Sequence, residues 1–228
     1  MIRILFFWLL SLSVWAQDTI PYAKKLDLNY REDQFYVGIA YNILQNKPNG
    51  LTQNKFSTGL QFGFLRDMPI NKQRTYAIAA GAGFTYQSFN QDLLISKGDN
   101  GILYSIIEDG FDYNKNKFYF LNVDLPIEFR YRTSTPQSHK FFRLYAGFKL
   151  SYMLLNQSNF LSNTIDYKIA NSNHFTKFQY GVYLATGYNT WNFYAYYGLN
   201  PIFNNKAKLN DSSIDLRTLN LGLQFYIL

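Results

Sequence analysis

The chain has 228 residues, a formal net charge of +7 and no cysteine. No segment beyond its N-terminus approaches the ~20 apolar residues of a membrane helix, and the lack of cysteine argues against both a disulfide framework and a cysteine-linked lipid anchor. Its 22 Lys and Arg are scattered among turns rather than gathered on one face, which argues against a nucleic-acid partner and suits loops near anionic lipid.

Residues 1–16 have the form of an export signal. Arg3 is the positive start, the run from Ile4 to Val14 is apolar, and Val14-Trp15-Ala16 is a small-x-small cleavage site. Residues 17–34 are polar and read as a periplasmic lead-in. The domain proper is expected over 35–228.

That domain divides into eight segments of period two, at 35–44, 55–65, 75–87, 119–131, 141–154, 177–188, 191–200 and 217–228. No helical pattern competes with them. The fourth is the clearest. Its odd positions, Tyr119, Leu121, Val123, Leu125, Ile127, Phe129 and Tyr131, are aliphatic in the middle and aromatic at the ends. Its even positions include Asp124, Glu128, Arg130 and, in phase, Arg132. Soluble strands usually stop near five or six residues, so a segment about twice that length fits a membrane-spanning barrel strand. Pro126 cannot donate a ladder bond and marks a bulge or local irregularity.

The connections alternate between short ones (65–74, 133–140, 189–190) and mostly longer polar ones (45–54, 88–117, 156–176, 201–216). That alternation predicts an all-β, eight-stranded antiparallel transmembrane β-barrel with short periplasmic turns and long extracellular loops. Two aromatic girdles follow from the assignment. Tyr41, Phe56, Tyr86, Tyr119, Tyr152, Phe178 and Tyr197 fall at the outer rim. Phe35, Phe64, Tyr76, Tyr131, Phe142, Tyr188, Trp191 and Phe225 fall at the inner rim. A soluble lipocalin-like barrel would turn these rings inward and leave the other face, rich in glycine, to water. The cramped interior of an eight-stranded barrel suits that small face better.

The fourth and fifth segments form a hairpin, so Asp124, Glu128, Arg130 and Arg132 should lie near Arg143 and Lys149 inside the barrel. Gln61, Gln87, Gln179 and Gln224 would extend the cluster. It reads first as an ion-pair network filling the lumen, because buried ions need partners, and second as a binding or gating site. Catalysis has weak support. His139 lies in a short turn. His174, with Ser172 and Asp166, could form an acyl-transfer set, but a Ser-x-His spacing is common by chance in serine-rich loops. No catalytic residue is assigned and the protein is read as a non-enzyme. No cysteine or histidine pair supports a metal, and no cofactor is expected.

The stretch Leu125-Pro126-Ile127-Glu128-Phe129-Arg130-Tyr131-Arg132-Thr133-Ser134-Thr135-Pro136 resembles the PorT-like outer-membrane β-barrel proteins. Its continuation, Lys140-Phe141-Phe142-Arg143-Leu144-Tyr145-Ala146-Gly147-Phe148-Lys149, shares the resemblance. The likeness implies a link to type IX secretion and gliding, in assembly rather than as the conduit. The expected partners are outer-membrane lipid, the outer-membrane insertion machinery and secretion-system proteins. The expected role is a non-enzymatic accessory barrel with a plugged lumen. A narrow porin and a lipid-modifying enzyme using His174 are the alternatives.

Overall fold

The computed structural model describes residues 33–53, 55–99, 101–108, 110–133 and 141–227. The expected signal, nearly all of the expected lead-in and His139 lie outside the described residues. Thirteen strands are found among them, taken in chain order. The first five are β1 (Gln34–Gln45), β2 (Thr58–Pro69), β3 (Tyr76–Asn90), β4 (Leu93–Gly98) and β5 (Gly101–Ile106). Then come β6 (Lys115–Arg132), β7 (Phe142–Leu161), β8 (Asp166–Ala170), β9 (Phe178–Tyr188) and β10 (Trp191–Gly198). Last are β11 (Lys208–Leu209), β12 (Ser212–Ser213) and β13 (Arg217–Ile227).

Eight of these form the wall. The antiparallel order runs β1-β2-β3-β6-β7-β9-β10-β13, and β13 pairs back onto β1, from Phe35↔Ile227 to Gln45↔Arg217. Closure leaves this wall no free edge, as hydrocarbon demands of a sheet. The eight expected segments all appear. Alternation decides which face meets lipid. On β6, Leu125, Ile127 and Phe129 are at least half exposed, whereas Asp124, Glu128, Arg130 and Arg132 are buried. Apolar side chains point out and polar ones in, the reverse of a lipocalin.

The aromatic girdles are built from cross-strand pairs. At the outer rim Tyr41 meets Phe56, Tyr86 meets Tyr119 and Tyr152 meets Phe178, with ring centroids 5.1 to 5.7 Å apart. At the inner rim Phe35 meets Phe64, Tyr76 meets Tyr131 and Trp191 meets Phe225, at 5.1 to 5.3 Å. Such pairs stabilise adjacent strands and set the depth of the barrel in the bilayer.

Three features differ from the sequence expectation. The second strand continues past Leu65 to Pro69, which carries Asp67 into the lumen. Pro126 causes no change of register. The β3–β6 ladder runs from Tyr76↔Tyr131 to Ala80↔Ile127 and resumes in phase at Gly83↔Asp124. The skipped rungs, Gly81 opposite Pro126 and Ala82 opposite Leu125, include the residue that lacks an N–H, so Pro126 marks a local irregularity as expected but no bulge. The bulge lies instead on β7. Leu121 pairs with Leu155 and Asn122 with Met153, so Leu154 is an extra residue. Leu154 and Leu155 both face out, and the inward set switches from odd to even, bringing Asn156, Ser158 and Phe160 inside.

The long connections also carry structure. β4 and β5 form a hairpin within the 88–117 connection, and β8 adds to the outer half of β7. Above the girdle, side chains from wall and loops pack into an apolar cap that includes Leu44, Phe89, Phe118, Phe120, Met153, Phe175 and Phe203. Phe175 and Phe203 are 4.6 Å apart, and Phe118 meets Phe203 at 5.4 Å.

Candidate functional site: the barrel lumen

The inner third of the lumen is ionic. Arg132 grips Asp67 with two parallel bonds, Nη1 to Oδ1 at 2.9 Å and Nη2 to Oδ2 at 2.8 Å. Arg130 donates from Nη1 to the same Asp67 at 3.0 Å and from Nε to Glu128 at 2.7 Å. Tyr183 donates its hydroxyl to Glu128 at 2.9 Å. The Arg130 guanidinium also stacks on Tyr145, 4.8 Å from the ring centre. Each side chain in this cluster is buried. Charges taken from water are held only by partners of this quality.

Lys149 and Asp124 sit farther out, 3.6 Å apart. Asp124 also accepts from Ser151 at 2.6 Å and from Thr85. Lys149 donates to the Tyr194 hydroxyl at 3.3 Å and lies over the Tyr196 ring at 4.6 Å. Amide pairs come next: Gln61 to Gln224 at 2.9 Å, Asn122 to Gln179 at 3.1 Å, and Asn220 to Asn42 at 2.6 Å with Gln87 beyond. Two cavities near Lys149 in this column are each about 10 Å³, room for about one water molecule.

Glycine makes the tyrosine packing possible. Gly147 stands against Tyr183, and a β-carbon there would fall 2.2 Å from the ring. Gly63 and Gly83 share a rung, and their missing side chains leave the space that Tyr36 fills.

The hairpin therefore brings Asp124 on β6 to Lys149 on β7, while Glu128 and Arg130 meet as successive inward residues of β6 itself. Among the described residues it does not bring Arg143 to a carboxylate. Arg143 is opposite Arg132 in the ladder, donates to the Asn189 carbonyl and stacks on Phe141 at 4.3 Å. The expected set also lacked its central acid, Asp67, and the lumen tyrosines. The signal for Asp67 was present, because period two continues through Leu65 and Asp67. It was masked by Arg66 on the outward face.

The alternative catalytic set is not assembled. The Ser172 hydroxyl accepts the His174 backbone N–H at 3.1 Å rather than meeting its ring. The ring stacks on Tyr104, whose hydroxyl is 3.1 Å from Nδ1. Burial, with Lys206 nearby, lowers the His174 pKa. Asp166 is exposed at the start of β8 and pairs in the ladder with Leu161. Elsewhere in the loops, Tyr113 donates to Asp92 at 2.8 Å, and burial plus that bond push its hydroxyl up to about 12. Among the described residues no group of His, Asp and Glu could hold a metal.

No curated protein matches the chain. Among solved structures it is similar to Ail, the attachment invasion locus protein of Yersinia pestis, at 15% identity and a TM-score of 0.39, over 86% of this chain and 99% of that one. Ail in complex with the heparin analogue sucrose octasulfate is similar at 13% identity and a TM-score of 0.36, over 85% and 97%. The family model for the outer membrane protein beta-barrel domain matches residues 15–204. With that match over most of its length, the chain belongs to the outer membrane protein beta-barrel domain family.

Proposed function

We propose that this outer-membrane barrel is a non-conducting, non-enzymatic accessory factor that serves protein secretion through its wall and loops rather than through its lumen. The observation that carries the reading is the column of buried partners from Asp67, Arg130, Arg132 and Glu128 up to Lys149 and Asp124, closed above by an apolar cap. A conduit needs a continuous wet path, and cavities of about 10 Å³ offer none. The secretion role rests on the PorT-like resemblance of residues 125–136 and 140–149. The unassembled Ser172, His174 and Asp166 set supports a non-enzyme. In the same reading residues 1–16 are a cleaved signal and 17–34 a periplasmic lead-in, so the mature protein begins at Gln17.

Two measurements test this. Purified barrel in planar bilayers should give no steady conductance, and a steady open level would establish the porin reading in its place. Deletion in the native host should stall protein export while leaving small-solute permeability unchanged. Altered permeability with normal export would defeat the accessory role.

A further inference from the structure

One recess opens to neither end of the barrel. It lies in the lipid-facing wall over β1, β2 and β3 and has a volume of about 360 Å³. Its walls are Phe35, Phe62, Phe64 and Phe84, and Ala82 lies at its base. The recess has a simple cause. Phe62 stacks on Phe84 at 5.3 Å and Phe35 meets Phe64 at 5.1 Å, but Ala82, opposite Phe64, offers only a methyl group.

Arg66 follows Phe64 on the same face of β2, about 7 Å along the strand toward the periplasmic turn. It is exposed, lies opposite Ala80 and has no hydrogen bond or ion pair among the described residues. The other outward cations of the wall strands, Lys115, Lys117 and Arg217, stand at the extracellular ends. A lone cation on a lipid-facing surface is costly unless it reaches the interface or finds an anion there. The anions at that depth are the phosphates of the periplasmic leaflet, and the apolar recess begins one side chain away.

We propose that this wall holds one phospholipid of the periplasmic leaflet, its phosphate on Arg66 and an acyl chain in the recess. Charge complementarity fixes the headgroup end and the ring-walled recess fixes the chain end. The site is thus distinct from the general lipid annulus, which any outward face would contact.

Native mass spectrometry of the refolded full chain in detergent with added phosphatidylglycerol tests the site. The wild type should retain one phospholipid under activation that strips detergent. Arg66→Gln should lower the retained fraction about fivefold, the scale set by one cation near a lipid surface. Arg66→Lys should restore most of it. Ala82→Phe, which fills the recess without touching the charge, should lower retention independently. Heat-modifiable migration on a gel checks that each variant folds. Retention equal to wild type in both Arg66→Gln and Ala82→Phe overturns the proposal. So does a wild type that emerges without lipid, whether as a bare monomer or as a dimer that covers this face.

Discussion

Asp67 is the residue on which the inner lumen turns. It accepts three bonds from two guanidinium groups, and each of those groups is fully buried. Asp67→Asn removes the charge while keeping the shape, and takes from the buried Arg130 and Arg132 guanidinium groups the carboxylate that they share. Breaking a buried pair on one side costs about 3–5 kcal/mol. Urea-dependent unfolding of the refolded barrel should show a loss of that size, and a change under about 1 kcal/mol would mean that the network is not what holds the inner barrel. The Lys149–Asp124 pair supplies the contrasting case. Lys149→Met or Asp124→Leu alone strands one buried charge, whereas the double variant strands none. The double variant should be more stable than either single one, and additive losses would count against a coupled pair.

At the scale of the element, the bulge at Leu154 decides how one strand serves two surroundings. Below it β7 shows Phe148, Leu150 and Tyr152 to lipid; above it the phase reverses and Phe160 joins the cap's side. Deleting Leu154 would turn Asn156, Ser158 and Phe160 outward, since a one-residue slip moves a whole face. The deletion variant should lose heat-modifiable migration or show a protease-sensitive extracellular half, and native behaviour in both assays would make the bulge incidental. The sequence shows the two phases on β7 only in part. Alternation is unambiguous from Phe142 to Tyr152, but Leu154-Leu155 breaks it, and the reading of a strand stops where the period fails. Asp67 escaped for a related reason, because accepting it means placing Arg66 toward lipid. The β4–β5 hairpin was more legible than its assignment to a loop suggests. Gly98-Asp99-Asn100-Gly101 is a strong turn signal between apolar runs. By contrast, the eight wall strands were readable because lipid outside and a filled lumen inside impose opposite demands on successive residues.

At the scale of the molecule, the barrel has three stacked interiors: ion pairs at the inner end, amides and tyrosines in the middle, and an apolar core at the outer end. Only the last resembles the interior of a soluble protein. Beyond the β6–β7 hairpin and the inward glutamines Gln61, Gln87, Gln179 and Gln224, the pairing within the inner interiors could not be placed from sequence. Their members come from six other strands, and register around the ring determines who meets whom. Tyr183 on β9 reaching Glu128 on β6 across β7 is such a contact. The apolar cap was invisible for a different reason. Its wall members, Leu44, Phe89, Phe118, Phe120 and Met153, meet loop residues such as Phe175 and Phe203 that have no period, and they cohere only because the closed wall below gathers the loop ends over one small mouth.

β7 is 20 residues long, and a barrel strand needs only about 9–11 to cross the hydrocarbon. About half of its ladder to β6 therefore forms in water, where an opened amide can turn to solvent, and half forms where it cannot. The two halves should differ in their clocks. Amide hydrogen exchange at Asn156 to Phe160 should proceed through local opening, on a timescale set by the cap and the β8 pairing. Exchange at Leu144 to Leu150 should wait for the whole barrel to come apart. One covalent strand would then carry two separate lifetimes, so the outer half could reshape itself around a partner while the inner half stays shut.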